Sequence, residues 1–492
     1  MTATDAALVA AESAFSVYRR VGPERRAALL ESIADELLAL GDELLTVADG
    51  ETALGLTRLT GERTRTVNQL RSFAAVVREG SWVEARIERA DRARQPPKPD
   101  LRRLLIPIGP VVVFAASNFP LAFSVAGGDT ASALAAGNSV VLKAHPAHPE
   151  TSRRVAAAVA RAVARCELPP GVFTLVSGAG YELGLSLVRH PLAKAVAFTG
   201  SLAGGRALFD AAAARAEPIP VYAEMGSTNP VFVLPGALAE RGAALGRALG
   251  DSATLGTGQF CTKPGLVFAC DGAGFDELAQ ALGAQVSGKA PTKMLYPELA
   301  ERFRLGVEQL AQTPGVEQLG QAAPAEDPSH GRPLASQVDF TRFAHTPSLH
   351  NELFGPATLL VRLETAADFV RVARSLEGQL TATVHGTEND LSQAEALLHE
   401  LERKVGRLLF GGVPTGVEVS AAMNHGGPYP ASTDARSTSV GTAAITRFAR
   451  PLCYQDAAQS VLPVELRDHN TRGIWRLLDG KQTRDHVSAS SG

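Results

Sequence analysis

Cysteine is scarce in this chain, with four in 492 residues, and the four are not arranged for cross-linking. Cys166, Cys261, Cys270 and Cys453 form no CxxC pair and no Cys/His metal spacing, and are too sparse for a disulfide framework. A reducing compartment is expected, and no metal site, since the histidines lack partner ligands in the sequence. Charge of one sign is also missing: 48 Lys and Arg against 51 Asp and Glu leave a net charge of −3. That excludes an electrostatic case for nucleic acid and leaves small-molecule chemistry as the expectation. No run approaches the roughly 20 apolar residues of a membrane span. Met1 to Ser13 shows no basic segment followed by an apolar stretch and a cleavage site, so no membrane association is expected and a cytoplasmic location is predicted. No repeat of solenoid length is present.

What is present begins with Cys261, in the run Gly258-Gln259-Phe260-Cys261-Thr262-Lys263-Pro264-Gly265. A structural thiol usually sits among apolar neighbours, whereas a reactive one needs access, backbone donors and a proton acceptor. Glycines and a proline around Cys261 supply the access, so it reads as a nucleophile. Cys270 closes the apolar run from Leu266 and Cys166 ends an alanine-rich helix, so both read as packed thiols. Cys453 stays open.

The order of elements predicts an α/β chain. From about Asp5 to Val77, apolar residues such as Ala27, Leu30, Ile33, Leu37 and Leu40 recur at helical spacing. From Val111, short β-branched runs (111–114, 139–142, 172–175 and 195–198) alternate with alanine-rich helical stretches, the pattern of a doubly wound parallel sheet. Loops 115–120, 143–149, 177–184 and 199–205 should share the rim beyond the strand ends. A second α/β unit follows Glu224, with strands near 231–233, 266–268, 359–361 and 408–410. Residues 82–103 read as an excursion between the halves, and the tail after Arg484 as frayed.

Individual rim residues are ambiguous when read alone. Glu224 ends a strand before Gly226 and could act as a general base, its pKa raised toward neutrality in a dry site; read alone, a solvated or turn-capping glutamate is the favoured role. Asn118, before Phe119-Pro120, could hold an oxyanion, a donor worth about 3 kcal/mol, or cap a helix begun by the proline. Lys143 could meet a phosphate or snorkel from its strand. Gly178, Gly180 and Gly184 depart from the GxGxxG spacing, and Ser201 in Phe198-Thr199-Gly200-Ser201 could bind phosphate or merely cap its helix.

In order and spacing these segments resemble the aldehyde dehydrogenase superfamily over nearly the whole chain. The carriers are Asn118 in SNFP, Lys143, Gly180 and Gly184, the FTGS loop, Glu224, Cys261, and Glu352-Leu353-Phe354-Gly355-Pro356. The resemblance implies two doubly wound parallel-sheet domains plus a small bridging and oligomerisation β element. Residues 1–81 and 109–223 would bind cofactor, 224–439 would be catalytic, 82–108 and 440–455 would bridge, and 456–492 would form a C-terminal extension. A homodimer or homotetramer is implied.

The same resemblance implies roles. Cys261 would attack an aldehyde, Asn118 with the Cys261 N–H would hold the oxyanion, and Glu224 would activate the water that hydrolyses the thioester. Ser117, Lys143, His145, Gly180, Gly184, Phe198, Thr199, Gly200 and Ser201 would hold the adenosine and pyrophosphate part of the cofactor. Met225, Gly226, Glu352 and Phe354 would lie at the nicotinamide end. Many NAD-using members carry a glutamate where this chain has Pro146. Its absence, beside Lys143 and two histidines, predicts NADP as preferred and NAD as acceptable.

A finer resemblance is to the branch acting on α-ketoglutarate semialdehyde (2,5-dioxopentanoate), through residues 143–149, His425-Gly426-Gly427-Pro428-Tyr429-Pro430 and 450–455. The alternatives are an NADP-linked fatty aldehyde dehydrogenase, a CoA-acylating member, which commonly lacks the base that Glu224 would supply, and a catalytically silent binding protein on the same fold. A dioxo acid would need a cation for its carboxylate; Arg436 is a nearby candidate, with a surface ion pair as its simpler role.

Overall fold

A computed structural model describes residues 2–488. Four helices open the chain, Ala3–Tyr18, Pro23–Ala39, Gly41–Thr52 and Leu56–Glu79. The first starts on a capping box in which Thr2 and Asp5 satisfy each other's backbone N–H. Ala27, Leu30, Ile33 and Leu37 are buried, as their spacing predicts, and Leu40 packs partly buried against the same core. The second to fourth pack with the helices Gly128–Ala136 and Pro149–Arg165 over one face of the first sheet, while Ala7, Leu8 and Ala11 of the first pack with its opposite face.

That sheet has five strands in the order Phe173–Val176, Val140–Lys143, Val111–Phe114, Ala195–Thr199, Val221–Glu224, all parallel. Val111–Phe114 is buried at every position, which is why it reads as an unbroken apolar run rather than an alternating one. The order reverses between Val111–Phe114 and Ala195–Thr199. Such a switch point opens a crevice at the carboxyl ends of the two strands, and the loops there carry Asn118 and Ser201.

A second sheet of seven strands follows, ordered 317–321, 334–339, 357–363, 266–270, 231–233, 379–385, 405–410, parallel except for its first pair. Residues 225–230 connect the two sheets. The Met225 N–H donates to the Ala431 carbonyl, and Glu224 bridges to Ser432, so the end of the first sheet is fastened to the segment carrying His425.

Two expectations are corrected. No helix begins at Pro120: residues 115–127 are tight turns, and the helix starts at Gly128. The buried Glu62 carboxylate holds the Leu121 and Ala122 N–H groups, 2.8 and 2.9 Å away, in the turn. A Cβ on Gly127 would lie 2.4 Å from the Ala122 carbonyl oxygen, so the chain doubles back there. Nor is the tail after Arg484 frayed as far as residue 488, since the Val487 N–H donates to Asp468 and the His486 ring stacks on His469 at 4.0 Å. The rest of that tail lies outside the described residues.

The third sheet joins distant parts of the chain in the order Ala449–Gln455, Leu101–Pro107, Arg86–Glu88, Arg476–Leu478, Lys481–Thr483. The last two strands come from the C-terminal extension. Among the described residues no helix is long and apolar enough to cross a membrane.

Candidate active site

Cys261 sits where backbone geometry is unusual. Gly256, Thr257 and Gly258 are all left-handed, with φ of 55°, 60° and 62°. Thr257 takes this conformation despite its β-branch. Gly258 is required twice, because a Cβ would also fall 2.2 Å from the Gly355 carbonyl oxygen, which locks the cysteine loop to the loop carrying Glu352. From the other side Asn229, fully buried, donates from Nδ2 to the carbonyls of Cys261 (2.8 Å) and Lys263 (2.9 Å). Gln379 in turn accepts from the Thr228 and Asn229 backbone. The cysteine loop is therefore clamped by three separate chain segments.

The Cys261 thiol faces His425, with Sγ 3.5 Å from Nε2, and the same Nε2 lies 3.0 Å from Oε1 of Glu224. Ser439 donates to the other Glu224 oxygen. Because one ring nitrogen serves both partners, the imidazole is not a two-ended relay; it exchanges a proton with one neighbour at a time. The ligand-capable atoms of Glu224, Cys261 and His425 all lie within 4.8 Å of one another, a proximity that no spacing in the sequence announces.

Electrostatics separates the two acids. Burial pushes the Cys261 thiol well above its usual value, and the nearby Glu224 charge pushes the same way, against the pull of Arg65. Burial would raise Glu224 too, but His425, through its charge and hydrogen bond, and Ser439 outweigh it, so Glu224 is held below the ordinary carboxylate range. The expected upward shift of Glu224 is thus reversed, because its environment is buried but polar. At neutral pH the site combines a protonated thiol with an ionised carboxylate.

Asn118 is buried, and its Nδ2 donates 3.1 Å to the carbonyl of Gln259, two residues before Cys261. Its second N–H and the backbone N–H of Cys261, which makes no hydrogen bond among the described residues, are available to an oxyanion. Asn118, Glu224 and Cys261 are thus brought together from two sheets and three loops.

The predicted cofactor residues form a second group along the switch-point rim. Lys143 ends its strand half-buried, its pKa lowered by desolvation, with no carboxylate paired to it among the described residues. Gly180, at φ 94°, precedes the helix Tyr181–Arg189, and a Cβ there would meet nothing within 4 Å. Ser201 caps the helix Leu202–Ala213 by accepting from the Gly204 N–H. Phe198 packs under Gly200, and Gly184 lies over Phe114. A cation without a carboxylate partner among the described residues, exposed helix starts and the open Gly180 suit a dinucleotide. His145, by contrast, is neutral: burial, with His148 and Lys143 nearby, takes its pKa down to about 3. His148 is buried and bound to the Ala116 carbonyl at 2.8 Å.

At the other end, Glu352 presses on Gly226, where a Cβ would come within 2.7 Å of its carboxylate. Burial raises Glu352 and lowers neighbouring Lys263, whose Nζ donates to the carbonyls of Leu353 and Ala357. Phe354 packs against the cluster around Phe303. Met225 is buried against Gly205 and presents no side chain to the rim.

A cysteine on a clamped turn, with a carboxylate behind it and a dinucleotide-type rim beside it, defines a thiol-dependent α/β dehydrogenase site. The profile of the aldehyde dehydrogenase family matches residues 1–447, and the chain belongs to that family: it is an enzyme that oxidises an aldehyde to an acid, and the family uses NAD(P). It is 51% identical over 473 residues to α-ketoglutaric semialdehyde dehydrogenase 2 of Azospirillum brasilense, covering 96% of this chain and 90% of that one. It is 45% identical to the α-ketoglutaric semialdehyde dehydrogenase of Acinetobacter baylyi, covering 98% and 91%. The fold matches that of a 3,6-anhydro-L-galactose dehydrogenase solved in complex with NAP, at TM-score 0.78 and 22% identity, over 92% of this chain and 91% of that one.

Sequence reasoning missed His425 as a partner of the thiol, along with Ser439, Asn229 and the arginines near Cys261. His425 is 164 positions from Cys261 and carried no local spacing. A signal did exist for the arginines: Arg58, Glu62 and Arg65 fall on one helical face amid an otherwise packing helix.

Proposed function

We propose that this protein oxidises 2,5-dioxopentanoate to 2-oxoglutarate, with NADP as its preferred acceptor. The observation that carries this reading is the 51% identity, across 96% of the chain, to an enzyme named for that aldehyde. In this reading Cys261 Sγ bonds to the aldehyde carbon as its proton leaves to Glu224, the carboxylate within 4.8 Å that His425 Nε2 keeps ionised, and passes on to solvent before the next step. The Asn118 amide and the Cys261 N–H hold the resulting oxyanion. A bound nicotinamide would supply the hydride acceptor. Glu224, a carboxylate at neutral pH, then takes a proton from the water that attacks the thioester, releasing the acid and restoring the thiol.

Lys143, Ser117, Gly180, Gly184 and Phe198 to Ser201 are assigned to the adenosine and pyrophosphate part, and Gly226, Glu352 and Phe354 to the nicotinamide end. Met225 serves through its backbone. Since His145 is neutral and His148 is tied to Ala116, discrimination for the 2′-phosphate falls to Lys143 and to the missing carboxylate at Pro146. The domain roles stay as the resemblance implies, in a cytoplasmic homodimer or homotetramer.

The test is a steady-state comparison of 2,5-dioxopentanoate with long aliphatic aldehydes, using both cofactors and no CoA. The reading expects the dioxo acid with NADP to give the highest kcat/KM and Cys261→Ala to abolish turnover. A higher kcat/KM for the aliphatic aldehydes, or for NAD, would overturn the corresponding half of the proposal.

A further inference from the structure

The helix Leu56–Glu79 places Arg58, Glu62 and Arg65 on one face toward the loop carrying Asn118. Two of the three have at least one partner: Glu62 Oε1 accepts from the Leu121 and Ala122 N–H groups, and Arg58 Nη2 donates to the Asn118 carbonyl at 2.5 Å, though Glu62 Oε2 and Arg58 Nη1 are themselves buried and unpaired among the described residues. Arg65, one turn on, has none. Its Nε and Nη2 are buried without an acceptor, and it forms no ion pair within 4.0 Å among the described residues. Burial disfavours its charge, opposed by Cys261 first and then by Glu62, Glu224 and Glu418. A guanidinium stays charged even so, and buried donors left unpaired cost about 1–3 kcal/mol.

An aromatic wall leads from Arg65 to the thiol. The guanidinium lies 5.2 Å over Phe123 and 5.8 Å over Phe119. Phe119 meets Phe260 edge-on at 5.7 Å, and Phe260 immediately precedes Cys261. Val440, beside the Ser439 that binds Glu224, belongs to the same apolar cluster, with Val417 and Met423 packed on it. An aldehyde reaching Cys261 along this wall would keep its methylene carbons against apolar surface and its far end near Arg65. Arg407, whose Nε is also buried and unpartnered, adds positive potential at Cys261.

We propose that Arg65 binds the carboxylate of an ω-oxo acid substrate through its unpartnered Nε and Nη2, a planar fork matched to two carboxylate oxygens. This rests on the reading of the site as one for 2,5-dioxopentanoate and names the group that recognises it. Arg65 is a specificity residue; it moves no proton.

The test measures kcat and KM of wild type, Arg65→Met and Arg65→Lys on 2,5-dioxopentanoate and on pentanal, which has the same carbon count and no carboxylate. The ratio of kcat/KM for the two substrates does not depend on the fraction of folded enzyme. Loss of one charge-assisted pair should lower that ratio roughly 30- to 100-fold in Arg65→Met, mainly through KM for the dioxo acid, with Arg65→Lys between. A ratio unchanged in Arg65→Met, while wild type still prefers the dioxo acid, overturns the arginine assignment and leaves the proposed function standing. Wild type preferring pentanal overturns the functional reading and the assignment with it.

Discussion

At the scale of single residues, the site is organised by charge placed against burial. Cys261 lies above the pKa of a free thiol because it is buried and faces Glu224. Alkylation by iodoacetamide without cofactor should therefore have its pH midpoint above the value of about 8.5 for free cysteine. Glu224→Gln removes a charge that disfavours the thiolate, so the midpoint should fall; Arg65→Met removes one that favours it, so the midpoint should rise. Shifts in the opposite directions would refute this account. His425→Ala tests the carboxylate. With the main influence that lowers Glu224 gone, its pKa rises, and the acidic limb of the kcat profile should move to higher pH, with kcat falling on the order of 10²-fold. An unmoved limb would show that His425 does not set Glu224. Cys261, Glu224 and Asn118 were legible in the sequence because each sits in a short motif at a loop. His425 was not legible as a partner of the thiol, since that contact is tertiary and spans 164 positions; Arg65 shares a helical face with Arg58 and Glu62, a local signal that does not say what the face meets.

At the scale of elements, short runs predicted the first sheet to within a residue or two at each strand, because strands buried on both faces are apolar throughout and bounded by glycine and proline. The loops were less legible. Residues 115–127 suggest a helix started by Pro120, yet Glu62, some sixty positions upstream, holds their N–H groups in turns. The site is accurate because loops are fastened to each other as well as to strands. Gly258 against Gly355 is one such joint, with no room for a Cβ. Gly258→Ala would add a Cβ at left-handed φ and force the cysteine loop away from the loop of Glu352. A displacement near 1 Å can cost about 10²-fold in rate, so kcat should fall by that order while bulk secondary structure by circular dichroism is retained. Activity within twofold of wild type would mean the two loops move independently.

At the scale of the whole molecule, the third sheet ties the ends of the chain together, and its outer strands lie beyond residue 447, where the family match stops. Ile87, at the centre of the strand Arg86–Glu88, is completely buried, and Leu462, Leu466 and Ile474 from the extension cover it. Arg476, 1% exposed, donates to the carbonyls of Arg467, Asp468 and Asp485, so the extension is stitched internally as well as paired to Arg86–Glu88. Arg472 reaches back to the Val77 and Arg78 carbonyls at the end of the helix that carries Arg65. The extension thus buttresses both the third sheet and the helix Leu56–Glu79. A chain ending at Gln455 would lose three apolar side chains worth about 2 kcal/mol each and leave the edge of Arg86–Glu88 unpaired, an invitation to edge-to-edge association. It should unfold at a temperature lower by several degrees and show raised mass or aggregation by light scattering. An unchanged melting temperature and mass would mean that the extension is an appendage rather than a structural part of the third sheet.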